Sequence, residues 1–158
     1  MSKEQNILIV DDHSENLIAM QAILEDEDCS LLLAASGNEA LGLLLKHEVT
    51  LVLLDVQMPG MDGFEVAELM RKSQKTRMIP IIFVTAISKE SKYVNRGYDV
   101  GAIDYMFKPL NPDVLRHKIR FFLDLDMQKR KLEDKLRKSQ ESMRELQKML
   151  HDQGERGK

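Results

Sequence analysis

The feature that most constrains this chain is a repeat of short, wholly apolar runs, each stopped by a polar residue. Ile7-Leu8-Ile9-Val10 ends at Asp11-Asp12, and Leu51-Val52-Leu53-Leu54 ends at Asp55. Ile81-Ile82-Phe83-Val84 ends at Thr85, Tyr105-Met106-Phe107 ends at Lys108-Pro109, and a further run spans Leu31 to Ala35. Runs this short, apolar at nearly every position and bounded by turn residues, read as strands covered on both faces. Between them the apolar spacing becomes helical. Leu17, Met20, Ile23 and Leu24 mark a helix over 15–25 with Ser14 as its N-cap; Leu41, Leu44 and Leu45 mark another, opened by Ser36-Gly37-Asn38-Glu39. Further helices start near Phe64 and cover about 89–99.

Strands alternating with helices of about 10–12 residues imply βαβ units and a parallel sheet. Right-handed crossovers then favour an α/β fold with five strands in a doubly wound sheet. In such sheets ligands sit outside the carboxyl ends of the strands. Asp11, Asp12, Asp55, Thr85 and Lys108 each follow a different strand end or share one, so all five should converge on one rim.

The 158 residues suit one domain plus an appendage, and 43% hydrophobic content excludes a disordered chain. The net charge of −3 gives no general attraction to nucleic acid. It is unevenly placed: residues 1–125 carry 13 Lys/Arg against 19 Asp/Glu, whereas 126–158 carry 10 against 7. Cys29, the single cysteine, cannot form an intramolecular disulfide and reads as a small buried residue. The polar N-terminus lacks a signal sequence, and no apolar run approaches the roughly 18 residues of a membrane helix, so the expected location is cytoplasmic, away from membranes.

From Asn111 or Pro112 one helix should run without glycine or proline to Gly154. Heptads place Phe122, Lys129, Leu136, Met143 and Leu150 at one seam position, and Leu125, Leu132, Ser139 and Leu146 at the other. Apolar residues thus fill all but two seam positions, which predicts a long coiled-coil helix. The expected organisation is a body over 1–124, a coiled coil over 125–153 and a flexible tail over 154–158.

Three carboxylates at one rim repel one another, and a hard divalent cation such as Mg²⁺ would relieve the repulsion. A lysine directed at the same place makes sense if an anion joins the two cations, and a phosphoryl group can bridge Mg²⁺, Lys108 and the Thr85 hydroxyl. Asp55 is then the nucleophile that forms an acyl phosphate, with Asp11 and Asp12 holding the metal. Taken singly, each residue has a plainer reading: Asp55 as a cap, Asp11-Asp12 as a helix N-terminal pair, Lys108 as a surface lysine and Thr85 as a strand end. Four strand ends supplying the matching set is what favours chemistry. His13, His47, His117 and His151 show no metal-ligand spacing, and His13 reads as a solvated loop residue. Pro59, Gly60 and Gly63 read as a turn rather than a phosphate-binding loop.

These stretches, with Leu54 to Gly63, Val84-Thr85-Ala86 and Gly101 to Pro109, resemble the response-regulator receiver domains of two-component signalling over residues 5–124. The resemblance implies a flavodoxin-like receiver whose Asp55 accepts a phosphoryl group from a sensor histidine kinase or phosphotransfer protein. It implies Mg²⁺ held by Asp12, Asp55 and the Gln57 carbonyl, with Asp11 helping through water. Thr85 and Lys108 would contact the phosphoryl oxygens, and Thr85 with Tyr105 would form the switch pair. Asn95 to Gly101 resembles receivers joined to kinase, cyclase or phosphodiesterase modules. An apolar Ile87 implies slow self-dephosphorylation.

The chain is then a signalling module rather than an enzyme, read out through a parallel homodimer whose seam is Phe122, Leu125, Leu132, Leu136, Met143, Leu146 and Leu150. Phosphorylation would alter the face built by the 89–99 helix, the last strand and the last helix. The alternatives are a fragment of a longer multidomain regulator and a coiled-coil adaptor with an inactive receiver. A haloacid-dehalogenase-like phosphatase would need a second Asp where Asp55-Val56-Gln57 has Gln57.

Overall fold

A computed structural model describes residues 5–86 and 104–156. The helix expected over 89–99, Ile87 and the 95–101 stretch lie outside the described residues. The elements run β1 (Asn6–Val10), α1 (Ser14–Leu24), β2 (Ser30–Ala34), α2 (Gly37–Lys46), β3 (Leu51–Leu54), α3 (Gly63–Lys72), β4 (Ile81–Thr85), β5 (Asp104–Phe107) and α4 (Pro112–Arg156). The strands form one parallel sheet in the order β2-β1-β3-β4-β5. This is the five-stranded, doubly wound architecture expected from the alternating runs.

Alternate residues of each strand face opposite sides of the sheet. Leu8, Val10, Val52, Leu54, Ile81 and Phe83 pack with Ala40 and Leu44 of α2 and with Phe64, Val66, Ala67 and Met70 of α3. Leu17, Met20 and Leu24 of α1 and Leu115, Ile119 and Phe122 of α4 are equally buried but belong to no part of that cluster. They cover the other face, above Ile7, Ile9, Leu51, Leu53, Ile82 and Val84. Arg116 Nε donates to the Ile23 carbonyl at 3.2 Å and ties the start of α4 to α1. Central strands without a polar position are therefore explained: neither face meets water, and each large side chain buried adds about 1.5–3 kcal/mol.

Caps set where the helices begin. Ser36 Oγ accepts from Glu39 N at 3.1 Å, Asp62 Oδ1 accepts from Glu65 N at 2.9 Å, and Asn111 Oδ1 accepts from Asp113 N at 3.0 Å ahead of Pro112. The first helix departs from expectation. Ser14 is its first residue rather than its cap; His13 holds the cap position without a side-chain cap bond.

The chain divides into two compact units, Met1–Phe122 and Leu123–Lys158. The division corrects one seam residue. Phe122 is buried, one helical turn from Ile119 and two from Leu115, and so belongs to the core face of the first unit. A seven-residue spacing fits a core stripe and a dimer seam equally well, so periodicity alone could not separate them. The helix also continues through Gly154 to Arg156, past the expected tail boundary. In the second unit Leu125, Leu132, Leu136, Met143, Leu146 and Leu150 are exposed. The charges around them pair within the helix, as in Arg130–Asp126 at 2.9 Å and Lys138–Asp134 at 3.0 Å.

Candidate functional site

Sheet hydrogen bonds carry past the last strand residues and set the rim. Asp11 N donates to the Ala34 carbonyl at 3.1 Å, Asp55 N to the Val10 carbonyl at 3.0 Å, and Lys108 N to the Thr85 carbonyl at 3.0 Å. Asp11, Asp55 and Lys108 are thus each fixed by a neighbouring strand's own terminus. Asp11, Asp55 and Thr85 are buried, while Asp12 and Lys108 are partly exposed.

Lys108 Nζ donates to Asp11 Oδ2 at 2.9 Å and lies 3.9 Å from Asp55 Oδ2. Asp11 Oδ1 accepts from His13 N at 2.9 Å. Burial pushes the Asp11 carboxyl up, but Lys108, the His13 N–H and the Asn16 side chain together hold it below its ordinary value. Asp55 moves the other way. Burial raises it, Lys108 and the Gln57 N–H oppose the rise, and the carboxylates of Asp11 and Asp12 reinforce it. Asp55 is thus a buried acceptor crowded by two further carboxylates, with one ammonium within 4 Å.

Asp11, Asp12, His13 and Asp55 each offer a ligand atom, and these atoms lie within 4.8 Å of one another. Asp12 Oδ1 is sealed from solvent and accepts no hydrogen bond among the described residues. A buried carboxylate oxygen without a donor is costly, and a cation resolves the cost. The donor set therefore fits a hard divalent ion. Gln57 enters through its backbone amide, which bonds Asp55.

Tyr105 is half-buried on the edge strand, its ring 5.2 Å from Phe83 and stacked on Phe107 at 5.7 Å. Sequence reasoning assigned no site role to three residues that the fold brings here. His13 sits against both N-terminal aspartates, Asn16 reaches Asp11 one turn into α1, and Gly63 packs on the Asp55 backbone. A Cβ on Gly63 would lie 2.9 Å from Val56 Cα and closer still to the Asp55 carbonyl oxygen. The neighbourhood of His13 with the aspartate pair was the only signal visible beforehand.

The comparisons agree with this arrangement. A model of the response regulator receiver domain family matches residues 7–120. The chain is similar to the transcriptional regulatory protein YvrH of Bacillus subtilis, 40% identical over 119 residues, covering 75% of this chain and 48% of that protein. It is 37% identical over 117 residues to a probable cyclic di-GMP phosphodiesterase of Vibrio cholerae, covering 74% of this chain and 26% of that one. The chain therefore spans about half or less of these relatives' lengths. Among solved structures, a CheY-like receiver from Methanospirillum hungatei matches with a TM-score of 0.72 at 31% identity, covering 79% of this chain and 98% of that one. Receiver domains are signalling modules that bind Mg²⁺ in an acidic pocket and take part in phosphoryl signalling with a kinase or phosphotransfer partner, and this chain has that pocket's acidic cluster. With the family pattern covering most of the chain and the sheet, rim and carboxylates all in place, the chain belongs to the response regulator receiver domain family.

Proposed function

We propose that this chain receives a phosphoryl group on Asp55 and passes the change to a partner or dimer through its C-terminal helix. The observation that carries the proposal is Asp55 itself: a buried carboxylate at a strand end, crowded by Asp11 and Asp12 and faced by Lys108 at 3.9 Å. One Asp55 oxygen attacks phosphorus of a phosphohistidine. The P–N bond breaks, its electron pair returns to the imidazole, which takes up a proton, and Asp55 becomes an acyl phosphate. Asp12, Asp55 and the Gln57 carbonyl would hold Mg²⁺, with Asp11 acting through water; bound Mg²⁺ supplies charge neutralisation at the phosphoryl oxygens. Lys108 and Thr85 orient those oxygens, and Thr85 with Tyr105 transmits the change as the switch pair.

The exposed stripe of Leu125, Leu132, Leu136, Met143, Leu146 and Leu150 supports a parallel homodimer. Charges beside it pair along the helix, as in Lys129–Glu133, Arg130–Asp126 and Lys138–Asp134, which supports a protein partner rather than nucleic acid. Among the described residues no helix is long and apolar enough to cross a membrane; the role assigned is that of a cytoplasmic signalling module rather than an enzyme. Self-dephosphorylation should be slow. Phosphoramidate with Mg²⁺ should add one phosphoryl mass to the wild type and none to Asp55→Asn, and it should change the sedimentation of the wild type alone. An unmodified wild type would end the proposal; a modified one with unchanged sedimentation would leave the helix a tether.

A further inference from the structure

His13 stands in the metal pocket in a way that the receiver reading does not use. Its Nδ1 lies 3.4 Å from Asp11 Oδ1 and 3.2 Å from Asp12 Oδ1. At metal–ligand bonds of about 2.1 Å, donors at right angles on one ion are about 3.0 Å apart and opposite donors about 4.2 Å apart. The observed separations are those of neighbouring ligands. Asp12 Oδ1, moreover, accepts no hydrogen bond among the described residues. Nδ1 and that oxygen thus stand where one cation can meet both.

Asp11 is already committed elsewhere. Its Oδ2 accepts from Lys108 and its Oδ1 from the His13 N–H, both at 2.9 Å. The open donors are consequently Asp12, Asp55 and the His13 imidazole. The imidazole is also well placed to bind. The backbone of His13 is fixed to Asp11, whereas its side chain is 57% exposed and can adjust without disturbing the core.

We infer that His13 is a direct ligand of the pocket and shifts its preference toward divalent ions that accept imidazole, such as Co²⁺, Ni²⁺ and Zn²⁺, relative to an all-oxygen pocket. Mg²⁺ takes oxygen donors and gains little from a ring nitrogen, whereas mixed carboxylate–imidazole sets suit the later first-row ions. The inference rests on the metal reading of the site, and the test separates the two.

The full-length chain, His13→Ala and Asp12→Asn are titrated calorimetrically with Mg²⁺ and with Co²⁺ at one fixed pH. Proton spectra of the Co²⁺ forms are searched for a shifted, exchangeable imidazole N–H resonance. Losing a ligand should cost at least the roughly 10- to 100-fold in affinity typical of losing a ligand's supporting contact. His13→Ala should therefore bind Co²⁺ at least about tenfold more weakly, keep Mg²⁺ within about threefold and lose the shifted resonance. Asp12→Asn should weaken both ions. Equal effects of His13→Ala on the two ions, in either direction, or a resonance that survives the substitution, would overturn the assignment while leaving the pocket intact. A wild type that binds neither ion would remove the metal reading itself, and the assignment with it.

Discussion

Replacing Gly63 by alanine would drive a methyl group into the stretch of backbone that carries Asp55. The added carbon would lie 2.9 Å from Val56 Cα and 3.0 Å from the Asp55 carbonyl carbon, and still nearer the carbonyl oxygen. None of these atoms can rotate away, so the β3–α3 connection must shift. Overpacking of this kind costs about 1–3 kcal/mol. Gly42, in the middle of α2, is the matched control: an added Cβ there meets nothing within 4 Å. Alanine at that position should stabilise the helix by about 0.5–1 kcal/mol, because glycine loses more backbone freedom on folding. For a domain of this size, roughly 3–5 °C in Tm accompanies each kcal/mol. Gly63→Ala should thus melt about 3–15 °C below the wild type and Gly42→Ala about 2–5 °C above it. The two variants should also differ in chemistry. A displacement of the nucleophile by about 1 Å can cost about 100-fold in rate, so Gly63→Ala should take up phosphoryl groups far more slowly while Gly42→Ala keeps the wild-type rate. Thermal melts and timed phosphoramidate reactions read both effects. Gly63→Ala melting with the wild type and reacting at its rate would refute the packing account.

Lys108→Met should destabilise the metal-free protein by about 1–3 kcal/mol in denaturant titrations at neutral pH, because it strips buried Asp11 of its ammonium donor. The Asp11 carboxyl sits below its ordinary value, so its stabilisation is present above the unfolded carboxylate range and lost as pH falls through the lowered value; the Lys108→Met deficit should shrink across that acid window. Asp55 has the opposite sign. Its raised value means that ionisation opposes folding as pH rises through it, so Asp55→Asn should raise the metal-free Tm at neutral pH and lose that advantage on acidification. Mg²⁺ at about 100 times its Kd should add about 2.7 kcal/mol to the wild type and much less to Asp55→Asn, as thermal shifts will tell. Leu132→Glu with Leu136→Glu should sediment as monomer at concentrations where the wild type dimerises, with an unchanged receiver melt; a retained dimer would rule out this seam.

The sheet was legible because a strand covered on both faces leaves an unmistakable sequence. The runs Leu51 to Leu54 and Ile81 to Val84 have no polar position, and their ends place Asp55 and Thr85 without further information. The rim could be read for the same reason, since a parallel sheet sends every carboxyl terminus to one side. What stayed hidden depends on distances between segments or on directions within one. Phe122 carries a seam spacing yet lies in the core, since a heptad does not say which neighbour fills the stripe. Gly63 looked like a turn residue, and only the fold brings it against the Asp55 backbone. The nearness of His13 to Asp11 and Asp12 was plain, but the orientation of its Nδ1 follows from the entry into α1. The opposite shifts of Asp11 and Asp55 likewise arise between segments: burial raises both, but Lys108 and the His13 N–H outweigh it at Asp11, whereas the neighbouring carboxylates reinforce it at Asp55.

The central claim, that Asp55 is the phosphoryl acceptor, is tested most directly by trapping the acyl phosphate. The wild type is treated with phosphoramidate and Mg²⁺, reduced with borohydride and digested. Reduction converts an aspartyl phosphate to homoserine, so the peptide spanning Leu51 to Gly63 should carry homoserine at position 55 and nowhere else. Homoserine at another aspartate, or none in any peptide, would contradict the account.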